Sequence, residues 1–289
     1  MKYRELYKNG VERLRAAGIF DADTDARLLF EHVFEKDRNF IYVHGDEEIS
    51  QLSEDDKDTE RISSYNELIG KRATHIPLQH LTGKADFMGL EFMVNPDVLI
   101  PRIDTETVVE EAMICVNDGM KVLDMCTGSG CILISLMKYK NDIEGYACDI
   151  SEKALDVAYK NAEKNGVDIH LIKSDLFEGF EEDDKYDVII SNPPYIKTSD
   201  IPGLMEEVRD HDPYIALDGH EDGLYFYRRI SEGARDHLFI GGRLIFETGC
   251  DEALEVSAIL EENGYKNITV KKDLSGNDRV VMCEKGLRG

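Results

Sequence analysis

The first 80 residues carry apolar side chains three and four positions apart, the spacing of amphipathic helices. One run spans residues 3–18 and a second spans about 23–33. A third is predicted to begin near Ser53, where Asp56 stands three residues further on, as in a capping box. We therefore expect residues 1–80 to form a helical domain.

The helical spacing is interrupted at residues 75–83, HIPLQHLTG, which we interpret as a linker. A short β segment at 87–94 is followed by a turn at 95–97 and another apolar run at 98–100. Residues 81–100 are therefore expected to connect two domains.

From about residue 105 to the end of the chain, helices alternate with strands. This alternation is typical of an α/β fold with a doubly wound, mostly parallel sheet of the Rossmann-like kind, and we assign residues 101–289 to it. A turn at 275–278 indicates that the last two strands form an antiparallel hairpin at the sheet edge. The predicted helices are 105–116, 129–139, 151–165, 224–238 and 252–263, and the predicted strands are 121–125, 143–149, 169–173, 186–191, 242–248, 266–272 and 279–284.

The chain is strongly acidic, with 59 Asp and Glu against 34 Lys and Arg and a formal net charge of -25. Such a molecule repels a phosphate backbone, whose binding depends on cationic contacts and counterion release. The sequence shows no Lys/Arg cluster that would offset this charge, so nucleic acid is disfavoured as a substrate. The hydrophobic fraction of 42% is sufficient for a packed core.

The six cysteines form no CxxC pair and no zinc-site spacing, so neither a metal nor a disulfide is expected. The N-terminal MKYRELYKNGVERL is amphipathic and charged, unlike a secretory signal. Apolar runs stay well short of the ~20 residues that cross a bilayer. These features predict a soluble, cytoplasmic protein with no membrane partner.

The segment KVLDMCTGSG, residues 121–130, is a predicted strand that leads through a glycine-containing turn into a helix. Ligands of open α/β sheets bind at the carboxyl ends of strands, and Gly128 and Gly130 allow close approach of the backbone. The next strand ends at Asp149, nineteen residues beyond Gly130, where a carboxylate can accept hydrogen bonds from two ribose hydroxyls. We therefore predict a nucleoside site at this turn.

The same loop fits a dinucleotide poorly. The dinucleotide fingerprint G-x-G-x-x-G requires a third glycine, and Leu133 stands at that position. Asp124, at the end of the first strand, would repel a pyrophosphate but would favour a cationic amine. The loop is therefore better suited to a nucleoside that carries an amine.

A second loop follows the strand YDVIIS and reads Asn192-Pro193-Pro194-Tyr195. Two successive prolines keep the backbone extended with exposed carbonyls. The Asn192 side-chain oxygen and the Pro193 carbonyl could accept both hydrogens of a planar amide or amine nitrogen, over which Tyr195 could pack. This arrangement would hold a weakly nucleophilic nitrogen in line with a sulfonium methyl group. The loop therefore predicts methylation of an amide or an exocyclic amine.

With these motifs the chain resembles the amino-methyltransferases, and over nearly its whole length it is similar to the release-factor glutamine methyltransferase family, known as PrmC or HemK. Further similar stretches are PLQHLTG (77–83), FMGLEFMV (87–94), VLIPRIDTE (98–106), DLF (175–177), DGLYFYRRI (222–230), GGRLIFETG (241–249) and DLSGNDRVV (273–281).

The resemblance implies a helical domain at 1–80 that recognises the substrate, a β-hairpin linker at 81–100 and a class I methyltransferase domain at 101–289. It also implies S-adenosyl-L-methionine as methyl donor, S-adenosyl-L-homocysteine as product, and class I peptide chain release factors as protein substrates. The glutamine side-chain amide of their GGQ motif would receive the methyl group.

The same resemblance assigns roles by position. The implied cofactor-binding residues are Asp124, Cys126, Thr127, Gly128, Ser129, Gly130, Asp149, Asp175, Leu176 and Asn192, with Asp175 and Leu176 flanking the adenine. The implied catalytic and amide-holding residues are Asn192, Pro193, Pro194 and Tyr195. The implied opposite wall of the pocket consists of Arg102, Asp104, Thr105 and Glu106.

Two positions depart from the family pattern. Cys126 replaces the usual glycine, and we expect it to need only a negative φ, with binding retained after local adjustment. Ile103 replaces the usual proline, which leaves a free N–H and a looser loop. An alternative for Asp104 and Glu106 is that they only cap the following helix.

Two other functions compete. A DNA or RNA exocyclic-amine methyltransferase would use the same NPPY loop but would need a basic face and a base-flipping pocket. A nicotinamide oxidoreductase, or a nucleotide-binding module without activity, would need the third glycine that the loop lacks.

Overall fold

The computed structural model describes residues 1–49 and 57–286, which form two compact units, 1–83 and 84–289. The Ser53 and Asp56 capping box that we predicted for the third helix lies outside the described residues.

The N-terminal unit is helical around a core of its own. Buried Leu14, Leu29, Phe30 and Tyr65 belong to one apolar cluster, which accounts for the helical spacing in the sequence. The helices are α1 (Tyr3–Ala16), α2 (Ala22–Phe34), α3 (Phe40–His44), α4 (Lys57–Arg72) and α5 (Leu78–Thr82). The short α5 lies in the segment that we interpreted as a linker, so the unit extends to Gly83.

The C-terminal unit begins with a two-stranded antiparallel hairpin, β1 (Lys84–Phe87) and β2 (Leu90–Met93). Met88 and Gly89 connect the strands with φ values of +51° and +70°, the pair of positive angles that a tight two-residue turn requires. The turn that we predicted at 95–97 is present, with the Val98 N–H donating to the Asn95 carbonyl at 3.3 Å, but it is not the turn of the hairpin. The chain reverses at Met88-Gly89, inside the segment that we had taken as one β segment.

A seven-stranded sheet forms the centre of the unit, in the order β5-β4-β3-β6-β7-β9-β8. Strands β3 to β7 are parallel, and β9 pairs antiparallel with both β7 and β8, so the doubly wound sheet with an edge hairpin is confirmed. The strands are β3 (Lys121–Met125), β4 (Glu144–Asp149), β5 (Ile169–Lys173), β6 (Tyr186–Ser191), β7 (Leu238–Glu247), β8 (Lys266–Lys272) and β9 (Asp278–Glu284). The helices are α6 (Glu106–Cys115), α7 (Cys131–Tyr139), α8 (Glu152–Asn165), α9 (Glu206–Arg209), α10 (Tyr214–Leu217), α11 (Tyr225–His237) and α12 (Ala253–Glu262).

The central strands are nearly continuous apolar runs because both sheet faces are covered. Four of the five residues of β3 are buried, and two apolar clusters contain its side chains. Strand β3 pairs with β4 on one side and with β6 on the other, so the strand order reverses beside it. Met125 on β3, Ser191 on β6 and Phe246 on β7 are in register, which brings the next residues of the three strands to one sheet edge.

In the part of the chain that the structure describes, no helix has the length and apolar character needed to cross a membrane. The cytoplasmic location stays a prediction.

Candidate active site

A cavity of about 320 Å³ opens at the carboxyl ends of the parallel strands, within the C-terminal unit. This is the edge where an open α/β sheet binds its ligands. Of the residues singled out in the sequence, those that line the cavity are Arg102, Thr105, Cys126, Thr127, Gly128, Ser129, Asp149, Asp175, Leu176, Asn192 and Pro194. Those that do not line it are Asp104, Glu106, Asp124, Gly130, Pro193 and Tyr195.

Asp149 ends strand β4 with both carboxylate oxygens held by backbone donors. Its Oδ2 accepts the Gly128 N–H at 2.9 Å, and its Oδ1 accepts the Ser151 N–H at 2.9 Å. Burial raises the pKa of Asp149, while these backbone hydrogen bonds lower it. Each oxygen keeps a further lone pair, so the carboxylate is fixed in place and can still accept hydroxyl hydrogens.

The turn after β3 needs its two glycines for different reasons. Gly128 has φ +54°, and no atom lies within 4 Å of the position that a Cβ would take, so the backbone is open to a ligand. Gly130 has φ +78°, and a Cβ there would lie 2.8 Å from Ile134 Cδ1 and 3.2 Å from Ala158 Cβ. Gly130 therefore permits the start of α7 to pack against α8 and does not itself line the cavity.

Our expectation that Cys126 adopts a negative φ was wrong. Cys126 has φ +63°, in the left-handed region that costs an L-residue about 1–2 kcal/mol. The angle is set by the sharp turn between buried Met125 and Thr127, whose N–H donates to the Cys148 carbonyl at 3.0 Å. The chain accepts this strain at a position that lines the cavity.

Asp124 lies fully buried beneath the cavity. Its Oδ2 accepts a hydrogen bond from the Thr127 hydroxyl at 2.7 Å, while its Oδ1 has no hydrogen-bond partner among the described residues. Burial raises the pKa of Asp124 to about 7. A cation bound above Thr127 would favour the ionised form of this carboxyl and so lower its pKa.

Asn192 follows β6 at the edge of the cavity, and its Nδ2 donates to the Thr105 hydroxyl at 3.5 Å. No donor among the described residues hydrogen-bonds to its Oδ1, which is thus free to accept. Pro194 lines the cavity. Pro193 does not, and Tyr195 instead packs against the apolar cluster that contains Tyr227.

Some cavity residues were not singled out by the motifs. The wall includes Pro101, Ile150, Ile215, Tyr225 and Phe226. Tyr225 and Phe226 belong to DGLYFYRRI, which we quoted as similar to the family without giving it a role. Aromatic residues at the start of α11, in a stretch with that similarity, were the signal that could have identified this wall.

Two charged residues that line the cavity, Asp175 and Arg102, are held in ion pairs. Arg229 contacts Asp175 at 2.9 Å, and Arg102 contacts the buried carboxylate of Asp212 at 2.5 Å. Asp104 contacts Arg279 at 3.2 Å. The pairs fix the positions of Asp175 and Arg102 at the cavity wall.

The structure places Glu106 away from the cavity, where its carboxylate accepts the Met88 N–H at 2.6 Å. Ile103 is 78% exposed and begins a short 3-10 turn, Ile103–Thr105. Isoleucine adds a backbone N–H that proline lacks. The first N–H groups of a helix have no acceptor within the helix, so this added N–H requires no partner inside the turn. No group of three potential metal ligands occurs among the residues described.

The order of the parallel strands, the glycine turn and the carboxylate after β4 define the fold of a class I methyltransferase. A model of the methyltransferase small domain matches residues 101–207, and a model of the PrmC N-terminal domain matches residues 5–83. A methyltransferase structure from Pyrococcus furiosus has a TM-score of 0.52 at 22% identity, over 69% of this chain and 90% of that chain, which supports the fold alone.

Two curated relatives decide the family. A release factor glutamine methyltransferase from Clostridium acetobutylicum is 41% identical over 267 residues, which cover 91% of each chain. One from Geobacter sulfurreducens is 37% identical over 268 residues, which cover 93% of this chain and 91% of that one. The chain belongs to the release factor glutamine methyltransferase family and is a methyltransferase, as its resemblance predicted.

Proposed function

We propose that this methyltransferase transfers the methyl group of S-adenosyl-L-methionine to the glutamine side-chain amide of the GGQ motif in class I peptide chain release factors. One observation carries the proposal. Asn192 directs its Nδ2 to Thr105 and leaves Oδ1 free to accept, in the same cavity as the anchored carboxylate of Asp149. An amide-accepting group and a nucleoside-accepting group thus share one cavity.

The residues present fit the nucleoside part of the methyl donor. Asp149 would accept the ribose hydroxyls, and Gly128 offers an open backbone beside it. Apolar Leu176 and Phe226 both line the cavity and would enclose the adenine. When bound, the donor supplies an electrophilic methyl group on a sulfonium.

An amide nitrogen is a weak nucleophile because its lone pair is delocalised. Asn192 Oδ1 would accept an amide hydrogen and hold the nitrogen on the line of attack. An acceptor placed there also favours the positive charge that develops on nitrogen as the bond forms. The methylated nitrogen is acidic enough to lose its proton afterwards, so no strong base is needed.

We assign recognition of the release factor to the N-terminal unit. A glutamine in a loop offers little surface, so selection among cellular glutamines requires wider contacts. Residues 1–83 form an independent helical core, and they include the segment that matches the PrmC N-terminal domain. The methyltransferase motifs all lie in the other unit.

The test is mass spectrometry of purified release factor after incubation with the enzyme and S-adenosylmethionine. We expect a gain of one methyl group on the GGQ glutamine, and no gain with Asn192→Ala. Oligonucleotides of DNA and RNA are incubated in parallel. Methylation of an exocyclic base amine, with the release factor unmodified, would refute the proposal in favour of a nucleic-acid methyltransferase.

A further inference from the structure

Arg279, near the start of β9, holds acceptors from three separate segments of the chain. Its Nη1 donates to the Thr248 carbonyl at 3.0 Å, and its Nε and Nη2 donate to the Asp273 carboxylate at 3.3 and 3.2 Å. Its Nη2 also lies 3.2 Å from the Asp104 carboxylate. A planar guanidinium presents its N–H donors in a fixed fork, so this one side chain sets the geometry of all three acceptors.

The Asp273 carboxylate is fixed by the turn between β8 and β9. Its Oδ1 accepts the Ser275 N–H at 2.9 Å and the Asn277 N–H at 3.0 Å, and its Oδ2 accepts from Arg279. The side chain is only 2% exposed. These residues belong to DLSGNDRVV, which we quoted as similar to the family without giving it a role. The hairpin turn thus fixes the carboxylate, and the carboxylate fixes the guanidinium.

The Asp104 carboxylate connects Arg279 to the wall of the cavity. Asp104 lies on the 3-10 turn Ile103–Thr105 and does not itself line the cavity, whereas its neighbours Arg102 and Thr105 do. The Thr105 hydroxyl lies 3.5 Å from the Asn192 Nδ2. A single 3-10 turn has few internal hydrogen bonds of its own, so its position depends on outside contacts. The contact with Arg279 is one of them.

We propose that Arg279 is a positioning residue, which holds the turn Ile103–Thr105 through Asp104 and so keeps Thr105 beside Asn192. The inference rests on the proposed function, because it concerns the cavity wall next to that function's amide-accepting side chain. Arg279 does not line the cavity, so it acts on the substrate only through the turn. Its loss is therefore expected to lower turnover while the affinity for S-adenosylhomocysteine is kept.

Arg279 also has a structural role, which the test must separate from positioning. Its contacts with Thr248 and Asp273 join β9 to the end of β7, and their loss would lower stability. Asp104 distinguishes the two roles, because Asp104→Ala removes the contact with the turn and leaves the other two contacts in place. The Asp104 side chain is 44% exposed, and an exposed ion pair contributes little to stability. We therefore expect the Tm of Asp104→Ala to stay near that of wild type.

The experiment compares kcat on the release factor in full-length Asp104→Ala, Asp104→Asn, Arg279→Met and the double variant Asp104→Ala/Arg279→Met. We expect a roughly tenfold fall in both Asp104→Ala and Arg279→Met, since small displacements at a reacting centre are costly. Asp104→Asn should recover much of the loss, because its amide oxygen can still accept from the guanidinium. The double variant should lose no more kcat than the worse single variant, because both act on one contact.

A second ion pair on the same hairpin supplies matched controls. Lys272 contacts Asp278 at 2.8 Å, and neither residue lines the cavity. Lys272→Met and Asp278→Ala remove the same kinds of charge and should keep kcat within about twofold of wild type. In all variants the KM for the release factor and the calorimetric Kd for S-adenosylhomocysteine should stay within about threefold, so that the loss is confined to turnover.

Wild-type kcat in Asp104→Ala, with a lowered Tm in Arg279→Met, would overturn the positioning role and leave Arg279 a structural residue. Losses that multiply in the double variant, or equal losses in the Lys272 and Asp278 variants, would overturn it as well. If Arg279→Met does not fold, the Asp104 variants decide, and equal kcat in Asp104→Ala and Asp104→Asn would refute the contact. Failure of the proposed function is a different result: wild-type enzyme that leaves the release factor unmethylated.

Discussion

Replacement of Asp149 by alanine perturbs the proposed nucleoside site at the carboxylate that two backbone N–H groups hold in place. The carboxylate accepts two backbone N–H groups, from Gly128 and Ser151, each at 2.9 Å, and retains lone pairs that would accept ribose hydroxyls. Asparagine at this position would not preserve both backbone hydrogen bonds. An amide offers one acceptor and one donor, so one of the two N–H groups would meet another donor.

The expected loss of affinity follows from these contacts. A hydrogen bond to a charged group contributes about 1.5–3 kcal/mol, which corresponds to a roughly 10- to 150-fold increase in the Kd for S-adenosylhomocysteine. The two N–H groups of Gly128 and Ser151 also lose their acceptor in Asp149→Ala. Because Gly128 lines an open cavity, water can replace the acceptor there, and the cost in stability should stay near the lower end of about 1–3 kcal/mol.

The assay is titration calorimetry with S-adenosylhomocysteine on wild type, Asp149→Ala and a matched control, Asp168→Ala. The control also removes one negative charge, at an exposed residue that does not line the cavity, and should keep wild-type affinity. An unchanged Kd in Asp149→Ala would show that the ribose contact lies elsewhere. An equal loss of affinity in Asp168→Ala would show that the change in net charge, and not the lost contact, weakens binding.

Four other changes have defined outcomes. Asn192→Ala should abolish methylation of the release factor while the Kd for S-adenosylhomocysteine stays within a few-fold, and near-normal turnover would contradict the amide-accepting role. A chain that begins at Lys84 should bind S-adenosylhomocysteine but lose activity on intact release factor, once circular dichroism has shown that it folds; unchanged catalytic efficiency would make the N-terminal unit a stabilising cap only. Cys126→Gly should exceed Cys126→Ala in stability by about 1 kcal/mol in urea unfolding, because alanine keeps the strain of a positive φ and glycine does not; equal stabilities would argue against strain at this turn. Burial raises the pKa of Glu247 from 4.5 to about 7, so the folded chain holds more protons than the unfolded chain within that window, and stability should fall as pH rises from about 5 to 7. Thermal unfolding across this range should show a smaller fall in Glu247→Gln, and identical slopes would contradict the assignment.

The sequence alone was sufficient for the central elements of the sheet. Strands 121–125, 169–173 and 186–191 have the predicted bounds because buried parallel strands leave contiguous apolar runs between polar turns. The glycine turn and NPPY also follow strands directly, so their place at one sheet edge follows from the parallel topology. Local patterns of this kind do not depend on distant contacts.

The tertiary structure decided what depends on distant neighbours. Cys126 adopts a positive φ because buried residues on both sides constrain the turn, although its own preference is for a negative angle. The hairpin reverses at Met88-Gly89. The Glu106 carboxylate accepts the Met88 N–H there and does not line the cavity. Composition and spacing did not predict the φ angle of Cys126 or the hydrogen bond between Met88 and Glu106.

The same holds for the contact between Asn192 and Thr105. The two residues are 87 positions apart in sequence, and the Asn192 Nδ2 lies 3.5 Å from the Thr105 hydroxyl. The motif indicates that an asparagine follows the strand, whereas the polar neighbour of its amide is supplied by packing. Residue type and local spacing therefore determined which chemical groups this protein has at the site. Only strand register and packing decided how those groups are oriented, because the direction of a hydrogen bond depends on which groups the fold brings within about 3 Å of one another.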